Sequence, residues 1–493
     1  MSPGTAILLA LALPAIAAVF AALLHRRPNL RELFSLLCGS GLLAVTAYLA
    51  PRVAAGERPA YVLFEMLPGL GIAFELEPLG MLFALVASSL WIVTTLYSIG
   101  YMRGHREENQ SRFFACFAVA IFAALGAAMA ANMLTLFLFY EVMTLSTYPL
   151  VTHHGTSKAR RGGRVYLGVL LSTSICFLLL AVVWTWHLAG TLDFRPGGIL
   201  AGKADPAMLT VLLALFIFGT GKAAVMPFHR WLPAAMVAPT PVSALLHAVA
   251  VVKVGVFTVL KVIVYLFGLE LLTSTGIATA LTWVAAGTIL IASLVAMTKD
   301  NLKARLAYST VSQLSYIVLG ALLANAWGVI GGGMHIAMHA FGKITLFFCA
   351  GAIYVATHKT EISDMNGLGR VMPWTFGAFT LGAFSVIGVP PLGGSWSKWY
   401  LALGALEAEQ IALVAVLMVS SLLNILYLMP IPARAFFSPS SKQDLEQHPR
   451  RREPLLCVGP PVLTALACVA LFIYAEDLYR LLEPIAQIST AGS

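Results

Sequence analysis

Apolar runs of about 20 residues, each long enough to cross a bilayer as a helix, recur along this 493-residue chain. They start near Thr5, Leu33, Leu79, Arg112, Met133, Gly163, Ala207, Met236, Ile277, Lys303, Trp327, Met372, Ile411 and Leu455. In hydrocarbon, each backbone polar group must be satisfied internally, so single segments cross as helices. The chain is 59% hydrophobic and only 11% charged; soluble domains carry about a quarter charged residues. The expected fold is therefore an all-α polytopic membrane protein with fourteen transmembrane helices, a single membrane domain over 1–493. The first run follows Met-Ser-Pro-Gly, without a basic leader, and reads as an uncleaved helix.

The charges sort by connection. The odd-numbered connections hold most of the lysines and arginines, from Arg26 and Arg27 through Arg103, Arg106, Lys158 and Arg160 to Arg450, Arg451 and Arg452. The even-numbered connections and the C-terminal tail hold only Arg52, Arg58, Arg195, Lys203 and Arg480. Such a bias sets orientation, with odd connections cytoplasmic and both termini outside, as in a bacterial inner-membrane protein. It also accounts for the net charge of +9 without a nucleic-acid partner. The lipid bilayer is the partner that composition implies. The six cysteines show no CxxC spacing, so no disulfide framework, zinc site or iron–sulfur site is expected.

Two runs are interrupted. The seventh contains Lys222, Pro227 and Pro233; the twelfth contains Pro390, Pro391 and Lys398. Proline removes an amide donor and clashes with the preceding turn, so both helices should break. Interrupted helices at matching positions in two halves point to inverted repeats around an ion site. The breaks lie five helices apart, an odd number, so the units would be opposed. The expected division is 1–111 with peripheral helices one to three, 112–266 as repeat one (helices four to eight), 277–435 as repeat two (helices nine to thirteen), and 455–481 as helix fourteen.

Ionisable side chains within hydrocarbon are costly and mark ion pathways. Glu141 is the one carboxylate inside a run, and Lys222, Lys253, Lys343 and Lys398 lie in four others. Lysine suits a proton carrier, because a desolvated ammonium gives up its proton whereas arginine keeps its charge. An ion pair with Lys222 would hold Glu141 charged until the lysine moves or loses its proton. Lys261, nearer a helix end, should snorkel to the interface. His335, His339 and Lys343 are spaced four and four, on one helix face. Two histidines at i and i+4 can begin a metal site, but no third ligand accompanies them, so a proton relay is the better reading. His247 and His229 are candidate relays or ordinary core histidines. His153 and His154 sit at the inner mouth of helix five as candidate proton-entry groups. Pro239-Thr-Pro241 should open helix eight, and Asp300-Asn301 should cap helix ten, near a channel mouth.

These stretches resemble a known family. GKAAVMPFHRWLPAAMVAPTPVS from Gly221, DNLKARLAYSTVSQLSY from Asp300, HIAMHAFGK from His335 and GVPPLGGSWSK ending at Lys398 are similar to antiporter-like subunits of complex I, membrane-bound hydrogenases and Mrp-type sodium/proton antiporters. The resemblance implies fourteen core helices, two inverted five-helix repeats and a hydrophilic axis. On that axis Glu141 and Lys222 couple, Lys253 is central, His335 and His339 relay, and Lys398 terminates. It implies an ion-transporting subunit rather than an enzyme, carrying H+ and Na+ with no cofactor of its own, in company with other membrane subunits. Two positions depart from the pattern: Ala234 follows Pro233 where an acid is often found, and Lys398 stands where one complex I subunit type has glutamate. Size, ending and Lys398 look most like the D-type component of Mrp antiporters, with no long amphipathic extension after helix fourteen. A proton-pumping subunit of a redox complex, a stand-alone solute transporter with a midplane pocket, and a structural scaffold are the other readings.

Overall fold

In the computed structural model, residues 2–67, 69–439, 453 and 455–487 are described. Arg450, Arg451 and Arg452, placed above with the cytoplasmic charges, lie outside them. The helices are α1 (Pro3–Leu23), α2 (Pro28–Ala54), α3 (Pro78–Gly104), α4 (Gln110–Ala128), α5 (Met133–Val151), α6 (Ser157–Ala189), α7 (Pro206–Gly219) and α8 (Thr240–Phe267). There follow α9 (Thr279–Met297), α10 (Leu302–Leu322), α11 (Ala326–Thr357), α12 (Pro373–Ile387), α13 (Gly394–Glu407), α14 (Ile411–Phe437), α15 (Leu455–Ile473) and α16 (Ala475–Gln487). Among the described residues, 11 helices are long and apolar enough to cross a membrane. α7 and α12 are shorter apolar helices, cut where the proline-rich breaks were predicted.

Local chemistry fixes many of the ends. α8 opens on Pro239 with Pro241 in its first turn, and the Asn301 side chain accepts from Ala304 N to cap α10, both as expected. Every residue of α8 is buried, and α10 and α11 are nearly as enclosed. The helices bearing Lys253, Lys261, His335, His339 and Lys343 thus form the centre of the bundle. α1, α2, α6, α14 and α15 surround them and keep apolar side chains exposed, such as Val183 and Met418. In a membrane protein such surface faces lipid or a partner.

Two expectations are corrected. The chain is not wholly α-helical, because β1 (Ala60–Leu67) and β2 (Leu70–Glu75) pair as an antiparallel hairpin. Its end docks on the bundle through a bridge from Phe74 to Ala130. The last helix, expected over 455–481, is two helices, and α16 is amphipathic. It buries Leu481, Leu482, Ile485 and Ala486 and exposes Glu476, Asp477 and Arg480. In the sequence these charges look like the polar tail of a spanning helix.

At the first break, α7 stops at Gly219, and a single 3-10 turn, Gly221–Ala223, carries Lys222. Freed backbone groups at such depth need partners; the Gly221 carbonyl accepts from Trp231 Nε1 at 2.9 Å. The turn lies so close to α8 that a Cβ on Gly255 would sit 2.4 Å from Ala223 N. At the second break, a Cβ on Gly394 would sit 1.8 Å from the Ser385 carbonyl oxygen. Both glycines let a broken segment press against its neighbour and bring a lysine inward.

Candidate functional site

Lys222 is completely buried. Its Nζ donates to the Tyr140 carbonyl at 2.9 Å and to Thr144 Oγ1 at 2.5 Å, and it sits 3.1 Å from the Tyr140 ring centroid. Carbonyl, hydroxyl and π-face together can hold an ammonium out of water. The expected contact with Glu141 is absent. Both Glu141 carboxylate oxygens are buried and make no hydrogen bond among the described residues. The acid is close enough to act on the lysine by its charge, but the turn aims the amine at the preceding residue and the following threonine instead.

Deeper in the bundle the amines and imidazoles meet. Lys253 Nζ is 2.6 Å from His339 Nδ1. His335 and His339 stack at 5.7 Å between centroids, and His335 Nδ1 lies 2.8 Å from Ser397 Oγ. Lys343 Nζ donates to Ser309 Oγ at 2.7 Å. Lys398 Nζ donates to the Ile387 carbonyl at 2.9 Å and to Ser421 Oγ at 3.2 Å, so the terminal lysine caps the broken end of α12. The structure therefore gathers Lys253, His339, His335 and Lys343 on one side of α11, while His335 meets Ser397 rather than Lys398. The two histidines engage different partners, and among the described residues no group of three His, Cys, Asp or Glu is placed to hold a metal. His247 is fully buried, with neither ring nitrogen hydrogen-bonded among the described residues, its ring 4.6 Å from Phe347. His229 lies off this line beside Tyr308. Beside Lys398, an apolar groove of 780 Å³ opens between α13 and α14, lined by Trp396, Trp399, Met418 and Leu422. Its exposed walls place it on the flank of the bundle.

Sequence reasoning missed several polar partners. Lys261 does not snorkel. It is buried, 3.4 Å from the Glu77 carboxylate, and donates to the Ala130 carbonyl at 2.7 Å. Glu77 is therefore a second buried acid; it caps α3 through the amides of Leu79 and Gly80 and accepts from Tyr265. Glu32 is a third, held by Arg31 and Arg103. Gln313, on α10, is buried, and neither of its amide atoms has a hydrogen-bond partner among the described residues.

His153 and His154 converge on Glu107, at the end of the bundle where the arginine-rich connections meet. His154 Nε2 is 3.1 Å and His153 Nε2 3.8 Å from the carboxylate, and Arg112 donates to the His153 carbonyl. The hydrogen bond to Glu107 raises His154 above the usual histidine value, whereas burial lowers His153. Burial pushes Glu107 upward, but the bond to His154 and the neighbouring histidine charges outweigh it and leave the carboxyl below its usual range. The raised His154 stabilises the fold fully below pH 6.5, and the contribution disappears as pH rises through its elevated pKa. The stability difference between the native protein and Glu107→Gln should thus be larger at pH 6 than at pH 9. His154 is over a third exposed, so solvent screening limits the effect to about 0.5 kcal/mol; melting curves at both pH values measure it.

Fold and site define a polytopic membrane protein with a buried line of amines and imidazoles. Residues 130–424 match the family described as "NADH:quinone oxidoreductase/Mrp antiporter, TM", and residues 69–114 match "NADH-Ubiquinone oxidoreductase (complex I), chain 5 N-terminus". The chain belongs to this NADH:quinone oxidoreductase/Mrp antiporter family. It is 32% identical over 443 residues to NADH-quinone oxidoreductase subunit N of Desulforudis audaxviator, covering 87% of each chain. It is 27% identical over 486 residues to the D component of the Na(+)/H(+) antiporter of Alkalihalophilus pseudofirmus, covering 98% of this chain and 95% of the relative. Its fold matches a chain in the structure of the Mrp complex from Dietzia sp. with a TM-score of 0.88 at 24% identity, covering 100% of this chain and 98% of that one. Identity is higher to the quinone oxidoreductase relative and coverage greater to the antiporter relative, so the relatives span both settings.

Proposed function

We propose that this chain is the proton-conducting subunit of a multisubunit Na+/H+ antiporter, working with other membrane subunits. The observation that carries this reading is the Lys253–His339 contact at 2.6 Å, inside a bundle that also buries Lys222, Lys343 and Lys398. Two basic groups at that distance cannot both be charged without strong repulsion, so between them they hold at most one excess proton, which either can accept. Protons enter near His153, His154 and Glu107, and a proton at one site shifts the affinity of the next. The chain crosses the membrane fourteen times with both termini outside; α12 and α13 form one interrupted crossing, and α16 lies beyond the last. Residues 112–266 and 277–435 are the two inverted repeats, with one broken helix each. The apolar groove beside Lys398 offers few polar groups to orient a solute, which disfavours an organic-solute transporter.

The identity to a quinone oxidoreductase subunit favours a second reading, a proton pump in a redox complex. Mild-detergent purification of the native assembly, with mass spectrometry of what accompanies it, separates the two. Membrane subunits alone, with sodium-dependent proton release in vesicles, are the expected result. Iron–sulfur, nickel or flavin subunits would instead make this chain part of a redox machine.

A further inference from the structure

Lys222, Lys253, Lys261 and Lys343 are enclosed by the bundle, whereas Lys398 is only part-buried and lines the apolar groove between α13 and α14. The walls carry Trp399 and Leu406 from α13 and Met418, Leu422 and Ile425 from α14, all of them exposed. Such walls gain from covering by a hydrocarbon chain and offer nothing to a polar solute. The volume of 780 Å³ lies within the range of about 300–1,000 Å³ that small-molecule sites occupy.

The polar end of the groove is incomplete. The Ile387 carbonyl at 2.9 Å and Ser421 Oγ at 3.2 Å accept from Lys398 Nζ, but an ammonium has three N–H donors, so one is left over. The Tyr316 ring lies beside it, with its centroid 4.9 Å from Nζ. The Tyr316 hydroxyl is engaged elsewhere, by the Leu417 carbonyl. Among the described residues no Asp or Glu lines the groove. Trp396 also lines it, and its Nε1 is buried without an acceptor among the described residues. Both unengaged groups are donors, so what the groove lacks is an acceptor. An ammonium next to hydrocarbon also lacks a counter-ion, which is costly there.

We propose that this groove binds a long-chain fatty acid, with its carboxylate on Lys398 Nζ and its chain along the walls of α13 and α14. The carboxylate supplies both the missing acceptor and the missing counter-charge, as a charge-assisted hydrogen bond, and the chain covers Trp399, Met418 and Leu422. Depth selects a free carboxylate over a phospholipid headgroup. Lys398 lies nine residues, or about 14 Å of helix, before the end of α13, beside the broken end of α12. Loss of solvation raises the pKa of a carboxyl group, so a fatty acid enters hydrocarbon as the neutral acid. A phosphodiester keeps its charge and stays at the interface. On the neutral amine the pair forms by proton transfer: the O–H bond of the acid breaks as an N–H bond forms on Lys398, leaving an ammonium against a carboxylate. Occupancy thereby holds Lys398 in its charged form. The site needs only the groove and its lysine, and so stands apart from the proton-conducting reading.

The test uses the native assembly in lipid nanodiscs and palmitate carrying a photoreactive diazirine in its chain. Irradiation followed by peptide mass spectrometry should place the label on the α13 and α14 walls. Unlabelled palmitate should compete. Hexadecanol, which lacks the carboxylate, and phosphatidylglycerol should each compete at least about tenfold less well, the scale of one charge-assisted hydrogen bond. Lys398→Met should weaken labelling by a similar factor. Leu422→Trp fills the groove from its exposed side and should abolish labelling with the lysine intact, so it decides the matter should Lys398→Met not assemble. Equal competition by hexadecanol or phosphatidylglycerol, or wild-type labelling of either variant, overturns the site. So does an unlabelled groove in the native assembly, which would mean that a neighbouring subunit covers it.

Discussion

Lys222→Met is expected to cut proton translocation about 100-fold or more, the scale of losing a positioned proton-transfer group, while the assembly forms normally. Lys222 is completely buried, and among the described residues its amine meets only Tyr140 and Thr144. Methionine matches its length and apolar stem, so packing against α8 at Gly255 survives. The neutral partners left behind lose one hydrogen bond each. Thr144 already donates to the Tyr140 carbonyl, so neither oxygen is stranded. Glu141→Gln should lose transport comparably, although the two side chains are not in contact here. An amine held by neutral oxygens and a carboxylate without a donor describe an open pair. Movement of Lys222 toward Glu141 would close it. Thr144→Val removes the 2.5 Å contact and tilts the amine toward the acid, so it should alter the pH dependence of flux more than its maximum. Flux in proteoliposomes across pH 6 to 9 reads all three variants. Equal activity of native and Lys222→Met complexes would leave the lysine a mere brace.

The buried lysines at the centre were legible because a lysine inside an apolar run is costly to bury and rarely persists there without polar company. Lys222 and Lys398 were further marked by prolines, whose effect on a helix is local and independent of tertiary contacts. What the sequence hid was pairing. Glu141 sits one residue from Tyr140, yet which side chain faces Lys222 depends on how a single 3-10 turn lands against α5. Glu77 precedes Pro78 at a helix start, where an acid is an ordinary cap, and nothing local ties it to Lys261. The serines of α10 and α14 that meet Lys343 and Lys398 carry no signal, since a serine in an apolar helix usually bonds its own preceding turn. The hairpin and α16 were missed for a different reason. Averaged hydropathy reports how apolar a helix-length window is: the polar positions of α16 cancel its apolar ones, and the strands, of eight and six residues, are too short to stand out in such a window.

Glu77→Gln is expected to destabilise the protein by about 3–5 kcal/mol, the range for removing one partner of a buried ion pair. Lys261→Met should cost about as much. Each single change strands a charge that water cannot reach, since both side chains are almost fully enclosed. The stranded Glu77 would keep Leu79, Gly80 and Tyr265 as donors. Lys261 would keep the Ala130 carbonyl and the faces of Phe194 and Phe257. The double variant Glu77→Gln, Lys261→Met removes both charges and should recover much of the loss, so the two single costs should not add. Denaturation of the purified complex, followed by loss of native tertiary signal, measures the cycle. A snorkelling Lys261 predicts the opposite, with Lys261→Met nearly neutral and the two changes additive. The location explains why the pair matters. A Cβ on Gly80 would lie 2.3 Å from the Ala128 carbonyl oxygen, so the start of α3 already presses on the end of α4. The Ala130 carbonyl that Lys261 grips is at that same end, two residues before Asn132 caps α5. Lys261 thereby ties α8, which carries Lys253, to the place where α3, α4 and α5 meet. Loss of the clasp should loosen the helix on which the central lysine rides, and melting should fall before transport chemistry is touched.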